Sequence, residues 1–138
     1  KNANTMIGKN AFLGCSKLTS LTVDENILNY MSPGTALFSK NGKVLYWVAP
    51  SASEAFTVPG GVTIISENAF CGNTSLKSVS IPSTVTEIRE GAFKGCTSLT
   101  DFSYNGTKTK WNAIKKSTGW NTDTASYTIH CTDSDIKK

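Results

Sequence analysis

The sequence predicts a mainly β repeat solenoid with short helical turns. Three observations predict it: gapless internal repeats, one short alternating strand per repeat, and a turn-rich polar composition. Hydrophobic residues make up 38% and charged residues 17% of the 138 residues, both below the usual share for a globular domain. Ser and Thr fill the difference at near a quarter of the chain; such residues sit well on pleated surfaces and in turns. A helical bundle or coiled coil would instead be rich in Ala, Glu, Lys and Leu. Both are excluded.

The repeats are IGKNAFLGCSKLTSLTV (7–23), ISENAFCGNTSLKSVSI (65–81) and IREGAFKGCTSLTDFSY (88–104). The second and third are offset by 23 residues and the first and second by 58. Self-similarity at 20 to 29 residues marks a solenoid of leucine-rich-repeat type, whose units must stack to bury their apolar faces. In Leu76-x-x-Val79-x-Ile81, alternation turns Val79 and Ile81 inward and Ser78 and Ser80 outward. Short parallel strands are expected at about 18–23, 56–58, 76–81 and 99–104, joined by right-handed crossovers. Each Ala-Phe pair, with a Gly two residues on, reads as a tight turn whose Phe plugs the interior. Phe70 and Phe93 should therefore be buried and stacked. Pro59 and Pro82 end their strands, because proline has no N–H to pair.

The offset of 58 is one period of 23 plus 35 extra residues. FTVPGGVTI (56–64) aligns with VSIPSTVTE (79–87), so an insertion occupies about 24–55. Within it, Asn41-Gly42 separates two apolar runs, a strong hairpin signal. The insertion is expected to be a β-hairpin laid on the solenoid, with Tyr46 and Trp47 on opposite faces. After Tyr104 the repeat pattern stops. Thr107 can cap a short helix carrying Trp111 and Ile114, and Trp120 and the alternating run from Tyr127 follow. This segment, 105–138, reads as the C-terminal helix/strand cap that a solenoid needs over its last apolar layer. The whole, 1–138, is taken as one domain with repeats at about 4–23, 56–81 and 82–104.

The repeat string I-x-x-x-AF-x-G-C-x-x-L-x-x-V-x-IP resembles the BspA-type, or Treponema-type, leucine-rich repeats. The insertion and the tail also resemble segments recurrent in such proteins. Gly8 and Cys15 match the family pattern, whereas Asn73 and Arg89 depart from it. The resemblance implies an extracellular or surface-attached solenoid of a host-associated bacterium or parasitic protist, secreted or on the cell surface. Several members of that family are adhesins that bind host matrix proteins.

Chemistry is sought along the chain with little result. Fourteen basic against ten acidic residues leave a net charge of +4. The lysines of the last third are spaced by polar residues with no nucleic-acid-binding signature, so a solvated face is the reading and no nucleic-acid partner is expected. No stretch approaches the ~18 apolar residues that cross a bilayer, so no membrane insertion is expected. Nor is there a start Met or a leader, and the chain is taken for a fragment or processed product. The single histidine, His130, lacks a motif that would supply a nucleophile or metal partner. It reads as a polar residue of an edge strand, facing away from Tyr127, Ile129 and Cys131. Cys15, Cys71, Cys96 and Cys131 have no metal spacing. Cys15 and Cys96 lie about 14 Å apart by strand count, too far to bridge. Four free thiols are favoured, with Cys71–Cys96 the pair left open. Asp133-Ser-Asp135 opens like a calcium loop but lacks the remainder, and Asn73 and Asn105 head glycosylation sequons. No catalytic residue, metal site or cofactor is expected.

The predicted function is a non-enzymatic protein-binding or adhesion module. Its tentative surface is the solenoid face, with Ser20, Ser78 and Asp101 in one ladder and Thr22, Ser80 and Ser103 in another, together with Tyr46 and Trp47 of the hairpin. Its partner is expected to be a protein, of the host extracellular matrix or a glycoprotein. The alternative is a structural spacer that holds another domain away from the cell surface. A third expectation concerns the N-terminal end. Asn4 stands where later units have Val62 and Val85, and no strand precedes it. The layer over Ile7, Phe12 and Leu18 should then be open, and the strand at 18–23 free for self-association.

Overall fold

The computed structural model describes residues 6–8, 10–50 and 53–138; Asn4 lies outside them. Eleven short strands and one helix are found among these residues. The strands are β1 (Tyr30–Met31), β2 (Ala36–Ser39), β3 (Val44–Val48), β4 (Ala55–Thr57), β5 (Ile64–Ile65), β6 (Ser78–Pro82), β7 (Glu87–Ile88), β8 (Asp101–Asn105), β9 (Lys115–Lys116), β10 (Thr128–His130) and β11 (Asp135–Lys137). Helix α1 spans Lys108–Ala113.

The strands form two sheets, ordered β1-β2-β3-β5-β7-β9 and β11-β10-β8-β6-β4, and from β3 to β10 successive strands alternate between them. Each coil therefore spends one strand on each sheet and closes through a turn. The sequence reading finds the strand before the proline and misses the second one, whose two residues show no alternation. The pairings β4–β6, β6–β8 and β8–β10 are all parallel, as are β3–β5, β5–β7 and β7–β9.

The turns form a third ladder. Asn68, Phe70 and Gly72 donate their N–H groups to Glu90, Ala92 and Lys94, and Gly91, Phe93 and Gly95 donate theirs to Gly119, Trp120 and Thr122. Every turn has two residues at positive φ, four apart: Asn10 and Gly14, Asn68 and Gly72, Gly91 and Gly95, Gly119 and Asp123. Gly or Asn fills all but one of these places because the left-handed region penalises a Cβ. This pairing shows that 119–123 is a further repeat turn, with Trp120 in the place of Ala69 and Ala92 and Asn121 in that of Phe70 and Phe93. The coil thus runs on past Tyr104 to His130, although its sequence pattern does not.

Phe70 and Phe93 are fully buried and stacked as expected, with centroids 4.7 Å apart and planes 11° apart. Phe102 and Trp120 meet Phe93 edge-on at 5.1 and 5.9 Å. Such offset and edge contacts are the favoured aromatic geometries. At the C-terminal end, Trp111, Trp120 and Tyr127 cover Phe102 at 4.9–6.1 Å. Thr107 is the N-cap of α1, accepting from the Lys110 N–H. Asp133 Oδ1 accepts from the Lys108 N–H at 2.8 Å. At the other helix end, the Lys116 ammonium donates to the Trp111 and Ile114 carbonyls, favourable for a cation at a helix C-terminus.

The N-terminal part departs from the expectation in two linked ways. First, the insertion is a hairpin, β2 against β3, but it does not lie on the solenoid: β3 pairs in parallel with β5 and is itself a ladder strand. Its turn closes by Gly42 N–H to Ser39 C=O at 2.8 Å, and within it only Gly42 takes a positive φ. Second, 18–23 is not a strand of either sheet. Leu21 makes one antiparallel bridge to Gly34, and its carbonyl accepts from the Ser32 hydroxyl at 2.7 Å. The cause is competition for one slot. Repeat logic assigns Ile7 the place beside Ile65, and Leu45 of β3 occupies it. The first unit is displaced onto the outer face of the hairpin, where Ile7, Phe12, Leu18 and Leu21 pack against a second small core of Tyr30, Leu37, Trp47 and Ala49. That layer is half-buried rather than open.

All four cysteines are free. Cys96 is buried and its thiol donates to the Phe70 carbonyl; burial pushes it up to about 12. Asn73, in the equivalent position of the preceding unit, is 1% exposed and accepts from the Leu76 N–H, so this sequon is closed to modification. Asn105 of the other sequon is exposed. The calcium-loop reading of Asp133 and Asp135 gives way to two protein contacts, Lys108 N–H and the His130 ring. Among the described residues no group of three His, Cys, Asp or Glu is placed to hold a metal ion. Nor is any helix among them long and apolar enough to cross a membrane.

Candidate functional site

The outward face of the five-stranded sheet carries two side-chain ladders. Parallel register aligns Ala55, Ser78, Asp101 and Thr128 in one, and Thr57, Ser80, Ser103 and His130 in the other. Four of the six predicted face residues, Ser78, Ser80, Asp101 and Ser103, are thus brought together as expected. Ser20 and Thr22 are not. The place next to Ser78 and Ser80 belongs to Ala55 and Thr57, because the displaced first unit never joins this sheet. Parallel alternation explains the polarity: Val79, Ile81, Phe102 and Tyr104 turn into the core, so the residues between them must face water.

His130 gives this face its one charged cluster. Its Nδ1 lies 3.0 Å from Asp135 Oδ1 and its Nε2 lies 3.3 Å from Asp101 Oδ1. The imidazole bridges two carboxylates across three strands. Hydrogen bonds to Asp135 and Asp101 hold its pKa above the ordinary histidine value. The Asp101 carboxyl is held below its ordinary value by Thr100 and by His130. With both ring nitrogens engaged by carboxylates, the ring is poised to be a charged link rather than a base toward Ser103.

The predicted hairpin residues part ways. Trp47 is 5% exposed and meets Phe12 at 4.9 Å. Tyr46 is half-buried, edge-on to Tyr30 at 5.5 Å. Both serve the second core, and neither faces the strand ladders. Beside them opens a cavity of about 310 Å³ that sequence reasoning missed. Aromatic rings of the hairpin and the first unit line one side, and Ser66, Glu67, Asn68 and Arg89 line the other. Arg89 Nε sits 3.1 Å from Glu87 Oε1 and its guanidinium 3.5 Å from Glu67 Oε2. Ser66 donates to Glu67 at 2.9 Å, and Asn68 donates to Asn10 at 2.6 Å. The signal for this cluster lay in Arg89: the position after the key Ile is Gly8, Ser66, Arg89 in the three units. One large cation among small residues marks a local demand.

Comparisons with known proteins agree with this architecture. A leucine-rich repeat protein from Eubacterium ventriosum is 24% identical, with a TM-score of 0.70, over 92% of this chain and 33% of its own. The pneumococcal vaccine antigen PcpA is 17% identical, with a TM-score of 0.58, over 81% of this chain and 33% of its own. A leucine rich cell surface protein from Faecalibacterium prausnitzii is 41% identical over 46% of this chain and 17% of its own, with a TM-score of 0.45. The chain spans a third or less of the length of each. No curated protein matches it. The BspA type leucine rich repeat region matches residues 1–44 and 46–118 in six copies. Repeats, paired left-handed turns and matched residues agree, and the chain belongs to the BspA-type leucine-rich repeat family.

Proposed function

We propose that the chain is a protein-binding module of a secreted or surface protein, without enzymatic activity, that contacts its partner through the five-stranded sheet. Membership of the family supports a protein-interaction or surface module. The observation that carries the reading is the paired polar ladder itself. Four parallel strands hold Ser78, Ser80, Asp101 and Ser103, with Thr57, Thr128 and His130, at fixed spacing on one outward face. Neighbouring strands lie ~4.8 Å apart, so the face offers a regular grid of hydroxyls and one carboxylate–imidazole cluster. Its partner is a host extracellular matrix protein or glycoprotein. No aromatic side chain stands on that face, and hot spots are usually Trp, Tyr or Arg. Affinity per copy is then modest and adhesion depends on multivalency. The same lack of an anchor favours the second reading, a spacer whose polar face confers solubility alone.

Residues 1–138 act in this proposal as one leucine-rich-repeat domain. Self-association keeps its place, at a different edge: β4 ends the five-stranded sheet, with no strand beyond it among the described residues. A second copy would add there. Light scattering over a concentration series tests this, and a strictly monomeric chain refutes it. Immobilised fibronectin, laminin and fibrinogen test the binding face. A Ser78→Arg, Ser103→Arg variant with an unchanged circular dichroism spectrum should lose binding to whichever is bound. Equal binding by the variant would overturn the assignment of the face. No binding to any of the three would favour the spacer.

A further inference from the structure

The cavity between the first unit and the hairpin has an origin and a chemistry of its own, independent of the sheet face. It exists because Leu45 takes the slot beside Ile65 that repeat logic gives to Ile7. The first unit still makes the family turn, with Ala11, Leu13 and Cys15 bonded to Gly8, Asn10 and Phe12. Yet among the described residues that turn reaches the neighbouring repeat turn through the Asn10–Asn68 carboxamide pair, with Phe12 resting on Trp47 of β3. Between turn and stack a cleft of about 310 Å³ is left, at the small end of ligand pockets, which start at about 300 Å³.

Its two walls differ. One is aromatic, with Tyr46 half-buried beside Tyr30 and Trp47 behind it against Phe12. The other is polar and internally neutralised: Arg89 is forked between Glu87 and Glu67, and Ser66 binds Glu67. Arg89 disfavours a cation, and the two carboxylates disfavour an anion. A wholly apolar ligand would strip water from the polar wall without replacing its hydrogen bonds. An extended peptide finds little backbone to pair with: β3 is paired on both edges, the Ser66 and Asn68 N–H groups are bonded to Leu45 and Glu90, and the one edge strand at the cleft, β1, is two residues long. What remains is a small neutral molecule with one C–H-rich face and one hydroxyl-rich edge.

We infer that this cleft is a carbohydrate subsite that takes a single neutral pyranose ring. The C–H face lies on the Tyr46 side and the ring hydroxyls meet Glu67, Arg89 and the Asn68 carboxamide. The Glu67–Arg89 pair can both accept from and donate to hydroxyls, which holds the sugar in one orientation.

Trp47 lies in this cleft, whereas Trp111 and Trp120 lie in the cap, so the Trp47 indole resonance reports on the site alone. The 138-residue chain is titrated with methyl galactoside, methyl glucoside and N-acetylglucosamine, and with sialic acid and acetyl-lysine amide as controls. At least one neutral sugar should shift the Trp47 resonance saturably, with a dissociation constant in the millimolar range. Tyr46→Ala should weaken that sugar about tenfold, a change near 1.4 kcal/mol. Glu67→Gln, which preserves side-chain size, should weaken it in the same direction while both circular dichroism spectra stay unchanged. The inference fails if no neutral sugar in the panel saturates. It also fails if sialic acid or acetyl-lysine amide binds better, or if neither variant alters affinity.

Discussion

Replacing Phe93 by Ala tests the stacking logic most directly. Phe93 is fully buried and touches three rings: Phe70 at 4.7 Å, Phe102 at 5.1 Å and Trp120 at 5.9 Å. Burial of such a side chain contributes about 1.5–3 kcal/mol. Each aromatic neighbour adds about 0.5–1.5 kcal/mol, and the void left behind costs about 24 cal/mol per Å³. The backbone around Phe93 is fixed by the turn ladder on both sides, so the void cannot collapse easily. These terms overlap and do not simply add, so the expected loss is about 4–5 kcal/mol, the upper part of the range for Phe→Ala, which already contains transfer and void. In urea, at a slope of about 2 kcal/mol per M, the midpoint should fall by about 2 M. Tryptophan fluorescence, summed over Trp47, Trp111 and Trp120, reads the transition. Phe56, half-buried with one edge contact to Phe70 at 5.4 Å, is the internal control and should lose much less. A loss below about 1 kcal/mol, the size of an ordinary surface effect, would refute the claim that these rings form the continuous core.

The other expectations are narrower. Gly95 has φ 71°, and an added Cβ would also sit 3.6 Å from the Gly72 backbone. Gly95→Ala should therefore cost about 1–2 kcal/mol in the same urea assay, with Gly60→Ala, at no positive φ, near neutral. The His130 pKa is raised by Asp135 and Asp101, so the stabilisation it brings is fully present below the unfolded-state pKa. It is lost as pH rises through the folded-state pKa, within about pH 5–8. An imidazole NMR titration should show the raised value, and Asp135→Asn should lower it and flatten the pH dependence of the melting temperature. Cys96, buried and pushed up to about 12, should resist alkylation at neutral pH until the chain unfolds. Mass-resolved labelling should find its rate rising in step with urea-induced unfolding and not before.

How legible this fold is depends on which residues carry a repeated constraint. The Ala-Phe turns and the 76–81 and 99–104 strands were readable because each position answers the same demand in every coil. Val79 and Phe102 share one slot, as do Phe70 and Phe93, and the parallel register keeps them there. The second sheet was hidden because Ile64–Ile65 and Glu87–Ile88 are two residues long, too short for alternation to show. The tail was half-legible. Trp111, Thr107 and the final strand announced a cap, but the turn at 119–123 has no Ala-Phe signature, Trp120 and Asn121 standing in the places of Ala92 and Phe93. Only the backbone, with Gly119 and Asp123 at positive φ, reveals the repeat. Sequence similarity follows side-chain packing, and a turn can be kept by its φ angles after that packing has changed.

The first unit shows the opposite failure and explains why the sites were harder to place than the fold. Its sequence obeys the repeat better than the tail does, yet its strand never forms. A repeat pattern states what a segment can pair with, not whether the slot is vacant. Leu45 reaches Ile65 in the slot that Ile7 would fill, and the segment at 18–23 is left to a single bridge at Leu21. Two consequences follow from that one substitution of strands. Ser20 and Thr22 leave the polar face, whose ladder is completed by Ala55, Thr57, Thr128 and His130 instead. The space between the displaced turn and Ser66–Asn68 becomes the cleft walled by Tyr46 and Arg89. In a regular solenoid the next coil would fill that space, so any recognition site there depends on the insertion having broken the repeat.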